Sequence, residues 1–259
     1  MDPIAMDISV VIVSWNVCKL LDDCLYSVGN ALDRLRAETF VIDNGSHDGS
    51  AQMVKQKYPW VHLIANPANL GFGSANNQAL RLCRGKYELL INPDTLIQRD
   101  DIQKMIDFME SHQRAGLAGP EQYDANGLIH FNERWCYPPR LVGEYLVERL
   151  TSVGRQRTRI LYPAPRRVPL LNTSCWIARP QSMSEAGPFD EQLFLYFAGR
   201  DICHRMRQAD WEIWFLRNVA ILHYGHQSIR QWDRLHRARV YYQGMLTWLK
   251  KCWLKPGAA

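Results

Sequence analysis

Asp94 and Asp43 are the acids whose neighbours first point to chemistry. Asp94 follows an apolar run, Leu89-Leu90-Ile91, that breaks off into Asn92-Pro93-Asp94-Thr95. The run reads as a buried central strand of a parallel sheet. Pro93 stops it and fixes the turn. Asp94 is thereby presented at a strand's carboxyl end, the edge where open α/β sheets bind ligands. A carboxylate there can hold a hard divalent cation that keeps most of its waters and shares its other sites with substrate phosphates. An Asp or Thr after a strand also serves simply to cap the next helix. Asp43 ends a second run, Thr39 to Ile42, and opens Asp43-Asn44-Gly45-Ser46-His47-Asp48-Gly49-Ser50. Its carboxylate can accept from a pyrimidine N3–H or a ribose hydroxyl, or do no more than shape the turn. In Asn66-Pro67-Ala68-Asn69-Leu70-Gly71-Phe72-Gly73-Ser74-Ala75-Asn76-Asn77, glycines and asparagines crowd a helix start. Free backbone N–H groups there favour a phosphate or a sugar oxygen.

These residues need strands and helices to hold them. Ile8 to Val13 is β-branched and apolar, a buried strand ending in Ser14-Trp15-Asn16. Leu20, Leu21, Cys24, Leu25, Val28 and Leu32 then recur at helical spacing. The strand over 39–42 precedes a helix over 50–57 that Asp48 or Ser46 can cap. A strand over 61–64 follows, then a helix continuing to about Cys83 and closed by Gly85, then a strand over 87–91. Further on, a helix over about 100–112, a short strand over 117–119 and a turn at Asp124-Ala125-Asn126-Gly127 complete a repeated β-α pattern, a doubly wound sheet. The first turn carries no G-x-G-x-x-G, so a dinucleotide-dependent redox or methyl-transfer reading loses its main support.

The chain has 259 residues, 47% of them hydrophobic and 22% charged, enough for one large domain with a sizeable core. The net charge of +5 is concentrated after about Arg134, where anionic partners would be met. Seven cysteines form no C-x-x-C pair and no metal-ligand spacing, as expected of a reducing compartment. The expectation is a cytoplasmic protein, soluble or peripheral on the inner face of the plasma membrane. No secretory leader and no apolar run near the roughly 20 residues of a membrane span is evident.

After Arg134, arginines crowd a Pro-containing stretch to Arg167, read as an irregular excursion over the open sheet edge or a solvated basic surface. Strand character returns over 168–178, around Asn172-Thr173-Ser174. Asp201 opens a helix to about Ala209, and short strands follow over 213–216 and 219–223. From Arg230, basic residues interleave with Trp232, Tyr241, Tyr242, Trp248 and Trp253 at roughly helical spacing. That composition suits an anionic membrane surface. It could also suit RNA, but no nucleic-acid module is present and no nucleic-acid partner is expected.

The segments ending in Ser14-Trp15-Asn16, Asp43-Asn44-Gly45-Ser46, Asn69-Leu70-Gly71-Phe72-Gly73 and Asn92-Pro93-Asp94 stand in this order. Together they resemble a family 2 glycosyltransferase of the GT-A fold, in its rhamnosyltransferase-like branch. The match covers most of 8–120 and resumes from Gly187-Pro188-Phe189-Asp190-Glu191 through Arg205. The resemblance implies a GT-A, Rossmann-like α/β fold with a mostly parallel sheet flanked by helices. It implies a domain over 1–225, with a nucleotide-sugar half over 1–120 and an acceptor-side half over 121–225, and a basic helical tail over 226–259. It implies inverting transfer from a dTDP- or UDP-sugar, rhamnose above all, to a cell-envelope saccharide or lipid-linked acceptor. Asp43 would then contact the nucleobase. Ser14, Asn16, Asn69, Gly71 and Asn92 would line the donor site. Asp94 would bind Mg²⁺ or Mn²⁺, with His223 as a further metal or diphosphate contact.

The chain departs from the family pattern at the base. Where relatives read Glu-Asp-x-Asp, this chain reads Ala198-Gly199-Arg200-Asp201. Asp201 is the surviving acid and the catalytic candidate, with helix capping as its bland alternative. Where relatives often have Ser-Gly-Ala beside the acceptor, this chain has Asn172-Thr173-Ser174. A binding protein without turnover is the rival to an active transferase. A membrane- or RNA-binding module is a third class, resting on the tail alone.

Overall fold

A computed structural model describes residues 6–127, 129–130, 165–225 and 227–254. The Arg-rich excursion from Arg134 lies mostly outside the described residues. The first half alternates β1 (Met6–Ser14), α1 (Cys18–Ala31), β2 (Ala37–Asp43), α2 (Ser50–Lys57), β3 (Val61–Ala65), α3 (Phe72–Leu80) and β4 (Gly85–Ile91). Then come β5 (Thr95–Leu96), α4 (Asp101–Ser111), β6 (Ala115–Tyr123) and β7 (Ile129–His130). The second half supplies β8 (Arg166–Arg167), β9 (Cys175–Ala178), α5 (Pro180–Ala186), α6 (Ala198–Gln208), β10 (Glu212–His223), a 3₁₀ turn (Ile229–Gln231) and α7 (Arg234–Leu254).

The strands join one sheet in the order β3-β2-β1-β4-β9-β6-β10-β5. The β3-β2-β1-β4 block is parallel. It needs crossover helices, which cover both faces. Alternation along each strand divides the apolar residues between two cores. Val10, Ile12, Leu89 and Ile91 pack with Leu21 and Leu25 of α1 and Ile102 and Met105 of α4. Val11, Ile42 and Leu90 face the other way, onto Ala75 and Ala79 of α3 and Ile202 and Met206 of α6. β4 is thus the buried central strand its apolar run predicts.

The structure departs from the sequence pattern in four places. Gly85 does not close α3, which ends at Leu80; it opens β4. A Cβ there would lie 2.3 Å from the Ser9 backbone N, so close strand approach is what requires glycine. The strand expected over 168–178 is confined to β9, and that strand runs antiparallel between β4 and β6. The two short strands after 213 are one strand, β10, irregular between Leu216 and Ala220. Asp201 does not open α6. Phe197 precedes the helix in a left-handed conformation, with φ of 72°, and Asp201 sits inside the first turn.

Candidate functional site

Parallel strand order brings the predicted residues to one edge. β1 and β2 run in register from Ile8↔Ala37 to Ser14↔Asp43, so both strands end at the same level. Asp43 is 3% exposed. Its Oδ2 accepts the Ser46 N–H at 3.1 Å, which closes the turn. Its Oδ1 is buried with no hydrogen-bond partner. The Ser14 hydroxyl is likewise buried without one. An orphan buried acceptor costs on the order of 1–3 kcal/mol, so Asp43 is poised for a donor that arrives with a ligand. Asn16 adopts φ of 51°. Its Oδ1 accepts the His47 N–H at 2.7 Å, tying the β1 turn to the β2 turn.

Asp94 and His223 meet through the sheet. β5 pairs antiparallel with the end of β10, with His223 opposite Thr95. His223 Nε2 lies 3.3 Å from Asp94 Oδ1, and both side chains are buried. The Asp94 carbonyl accepts the Tyr224 N–H at 2.9 Å, and its Oδ2 faces the Gln227 N–H at 3.5 Å. Under the turn, the Asn92 carbonyl accepts from the Thr95 hydroxyl at 2.6 Å and from the Cys24 thiol at 3.6 Å. The Asn92 N–H donates to the Ser174 carbonyl at 2.8 Å. Burial raises the Cys24 thiol to about 12, so it supports the turn as a neutral donor. Among the described residues no group of three metal-ligating side chains exists. The Asp94 carboxylate fits a hard cation that takes its remaining oxygens from water and a diphosphate, with the His223 ring beside it.

Asn69 and Gly71 stand in the same edge but face inward. Asn69 Oδ1 accepts from Asn44 Nδ2 and from the Gly71 N–H, each at 2.9 Å. Asn44 Oδ1 accepts from Leu70 N and Asn66 Nδ2, each at 3.1 Å. This amide network fixes the loop, and sequence reasoning missed Asn44 and Asn66 as its members. Repeated asparagine at loop starts was the signal that could have found them. Gly71 has φ of 86°, and a Cβ there would lie 2.5 Å from the Phe194 carbonyl. Its glycine therefore admits the second half of the chain: Phe72 N donates to Phe194 O at 2.6 Å. Asn77 completes the join, accepting from Phe189 N at 3.0 Å and donating to Phe189 O at 2.9 Å.

In the second half, Asp201 is 4% exposed and bonded by Arg205 Nε and Nη2 at 2.8 Å each. Arg205 in turn donates to the carbonyls of Ala186, Gly187 and Pro188, the last two at 2.9 and 2.8 Å. Asp201 thus holds the arginine that clamps the Gly187-Pro188 turn. The space beside Gly199 is filled: a Cβ there would lie 2.3 Å from Thr173 Cγ2 and 3.2 Å from the Trp176 ring. Gln231 Nε2 donates to the Asn16 carbonyl at 2.6 Å, and Trp232 packs 5.8 Å from Trp15 and 6.2 Å from Phe194. The segment after β10 therefore crosses the strand ends.

The mixed α/β sheet has the GT-A fold of solved glycosyltransferases. The chain belongs to glycosyl transferase family 2, whose model matches residues 9–163. It is 28% identical over 233 residues to the N-acetylglucosaminyl-diphospho-decaprenol L-rhamnosyltransferase of Mycobacterium tuberculosis, covering 83% of this chain and 75% of that one. It is 24% identical to the putative teichuronic acid biosynthesis glycosyltransferase TuaG of Bacillus subtilis, over 84% of this chain and 90% of that one. The mannosyltransferase PcManGT of Pyrobaculum calidifontis, solved with GDP-Man and Mn²⁺, superposes with a TM-score of 0.62 at 17% identity. That match spans 95% of this chain and 64% of the solved one. GalNAc-T7, solved with UDP, GalNAc and Mn²⁺, gives 0.61 at 14% identity, over 86% of this chain and 44% of that one. Among the described residues no helix is long and apolar enough to cross a membrane.

Proposed function

We propose that this chain transfers a sugar, rhamnose foremost, with inversion from a dTDP- or UDP-sugar to a lipid-linked cell-envelope saccharide. The observation that carries the reading is the convergence of Asp94 and His223, 3.3 Å apart, at the sheet edge where Asp43 keeps an unpartnered buried oxygen. Asp43 Oδ1 accepts N3–H of a uracil or thymine base, a donor that adenine lacks. Asp94 and His223 hold Mg²⁺ or Mn²⁺, which when bound stabilises charge on the departing nucleoside diphosphate. Ser14 and Asn16 shape the nucleotide side of the edge, and Asn69 and Gly71 hold the loop beside it. The rhamnosyltransferase relative supports both the cargo and the lipid-linked acceptor. The tail from 226 is the part of the molecule that meets the acceptor and the membrane surface.

A second reading is donor binding without turnover. It is favoured by one observation: Thr173 fills the space beside Gly199 where the family carries an acid, while Asp201 is engaged by Arg205.

Calorimetry of UDP and dTDP with Mn²⁺ tests the donor reading. Asp94→Ala should weaken binding at least about 100-fold, roughly 2.7 kcal/mol, with the thermal midpoint of the free chain retained. Unchanged affinity would remove the metal assignment and the reading with it.

A further inference from the structure

We infer that the cavity between α7 and the 192–194 turn is a subsite for the phosphate-bearing end of a lipid-linked acceptor. The inference rests on the proposed transfer to such an acceptor and names where its charged end would sit. The cavity measures about 290 Å³ and is lined by Gln192, Phe194, His236, Arg239 and Gln243, among others. Among the described residues no carboxylate lines it. The acids beside the lining residues in the chain are engaged: the Asp233 carboxylate accepts the His236 N–H at 2.8 Å, Asp190 is paired with Lys251, and Glu191 Oε1 accepts from Asn77 Nδ2 at 3.1 Å. Arg239 is thus a guanidinium on the wall of a cavity without an anion, flanked by two amides and an imidazole. A guanidinium fork matches phosphate oxygens in a bidentate way, and the amides supply further donors.

The location is appropriate to an acceptor. Phe194, on one wall, receives the Phe72 N–H of the donor loop at 2.6 Å. His236, on the other, packs edge-on to Trp232 at 4.7 Å, and Trp232 reaches Trp15 at the end of β1. The cavity therefore lies one aromatic layer from the donor edge.

The helix that carries Arg239 also has an exposed apolar stripe. Leu235, Tyr242 and Leu246 are 85%, 58% and 54% exposed. With Arg239 they follow a spacing of four, three and four residues, which is one stripe of a helix. Bare leucines aligned on a surface mark a contact with something apolar. A ligand with an anionic head at Arg239 and a long hydrocarbon chain along Leu235, Tyr242 and Leu246 satisfies both features. A nucleotide, a bare saccharide or an inorganic anion satisfies only one.

The test uses geranyl diphosphate and inorganic pyrophosphate as probes. It is run with EDTA in the Asp94→Ala background, which silences the donor diphosphate site. Geranyl diphosphate should bind more tightly than pyrophosphate. His236→Ala with Arg239→Ala should weaken both at least about tenfold. Leu235→Ser with Leu246→Ser should weaken geranyl diphosphate and leave pyrophosphate unchanged. Phosphatidylglycerol vesicles should compete poorly with geranyl diphosphate. Equal affinity for the two probes, or affinity indifferent to His236 and Arg239, overturns the subsite. Vesicle binding that depends on Arg239 without geranyl diphosphate binding assigns the face to a membrane surface and also overturns it. Mn²⁺-dependent UDP or dTDP binding, measured with Asp94 intact, should be the same in the His236→Ala, Arg239→Ala variant. Its absence from the unaltered chain would refute the donor reading and not the subsite.

Discussion

The first half and the second half of this molecule are built on different logic. From β1 to β4 the sheet is parallel, strands alternate with helices, and the turns after β1 and β2 are tied within themselves and to each other. Asp43 closes its turn on Ser46, and Asp48 accepts from Ser50 N at 3.1 Å and from Cys18 N at 2.7 Å. From β9 onward several partners lie back in the first half. β9 runs against β4 and β6, and Asn77 of α3 grips Phe189. Local motifs thus survive in the first half as recognisable signatures. In the second half no such signature marks the packing, and Thr173 stands 2.3 Å from where a Cβ at Gly199 would fall.

The largest expected effect comes from undoing that pair. Ala198→Glu with Gly199→Asp should fail by itself, because overpacking against Thr173 and Trp176 costs about 1–3 kcal/mol. Adding Thr173→Gly opens the space. Release of nucleoside diphosphate in the presence of rhamnose- and GlcNAc-terminated acceptors should then rise by about 10²–10⁴, the usual contribution of a general base. Additive stabilities in a Thr173→Gly, Gly199→Asp cycle would show that the two positions are independent and would break the contrast.

Asp201 sharpens it. If its work is to hold Arg205 against the Gly187-Pro188 turn, Asp201→Asn should lower stability by about 3–5 kcal/mol, the cost of breaking a buried pair. Chemical denaturation measures this. Full stability with lost turnover would return Asp201 to the chemistry.

Glu88 offers a probe inside the first half. Burial in β4, with no partner at Oε2, raises its carboxyl to about 7. The folded state therefore holds a proton that the unfolded chain releases near 4.5. Stability should be highest below that value and fall as pH rises toward about 7, by on the order of 3 kcal/mol. Glu88→Gln should flatten the slope in urea midpoints between pH 4.5 and 7. An unchanged slope would place the titration elsewhere.

The smallest expected effect is nucleobase choice. UDP or dTDP should bind at least about tenfold more tightly than ADP, roughly 1.4 kcal/mol, and Asp43→Ala should erase the preference. Equal binding of all three in the unaltered chain would leave Asp43 as a turn former only.

The chain alone made the first half and its edge legible. β-branched runs ending in Asn, Asp and Pro give buried parallel strands with acids at their carboxyl ends, because a strand buried on both faces must be apolar and must stop abruptly. Asp43 and Asp94 were legible for that reason. His223 was legible only through family likeness, since its place beside Asp94 depends on β5 pairing with the far end of β10. Gly71 and Asn77 were legible as a loop, but their partners were not. A glycine required by the Phe194 carbonyl and one required by a phosphate look alike in sequence. The role of Asp201 was hidden in another way: its i,i+4 spacing to Arg205 is visible in the chain, but its burial and the turn that Arg205 clamps are not. Tertiary structure decided these cases because each depends on a contact between segments more than a hundred residues apart or on a helix start set by the left-handed Phe197, and neither leaves a periodic trace in the chain.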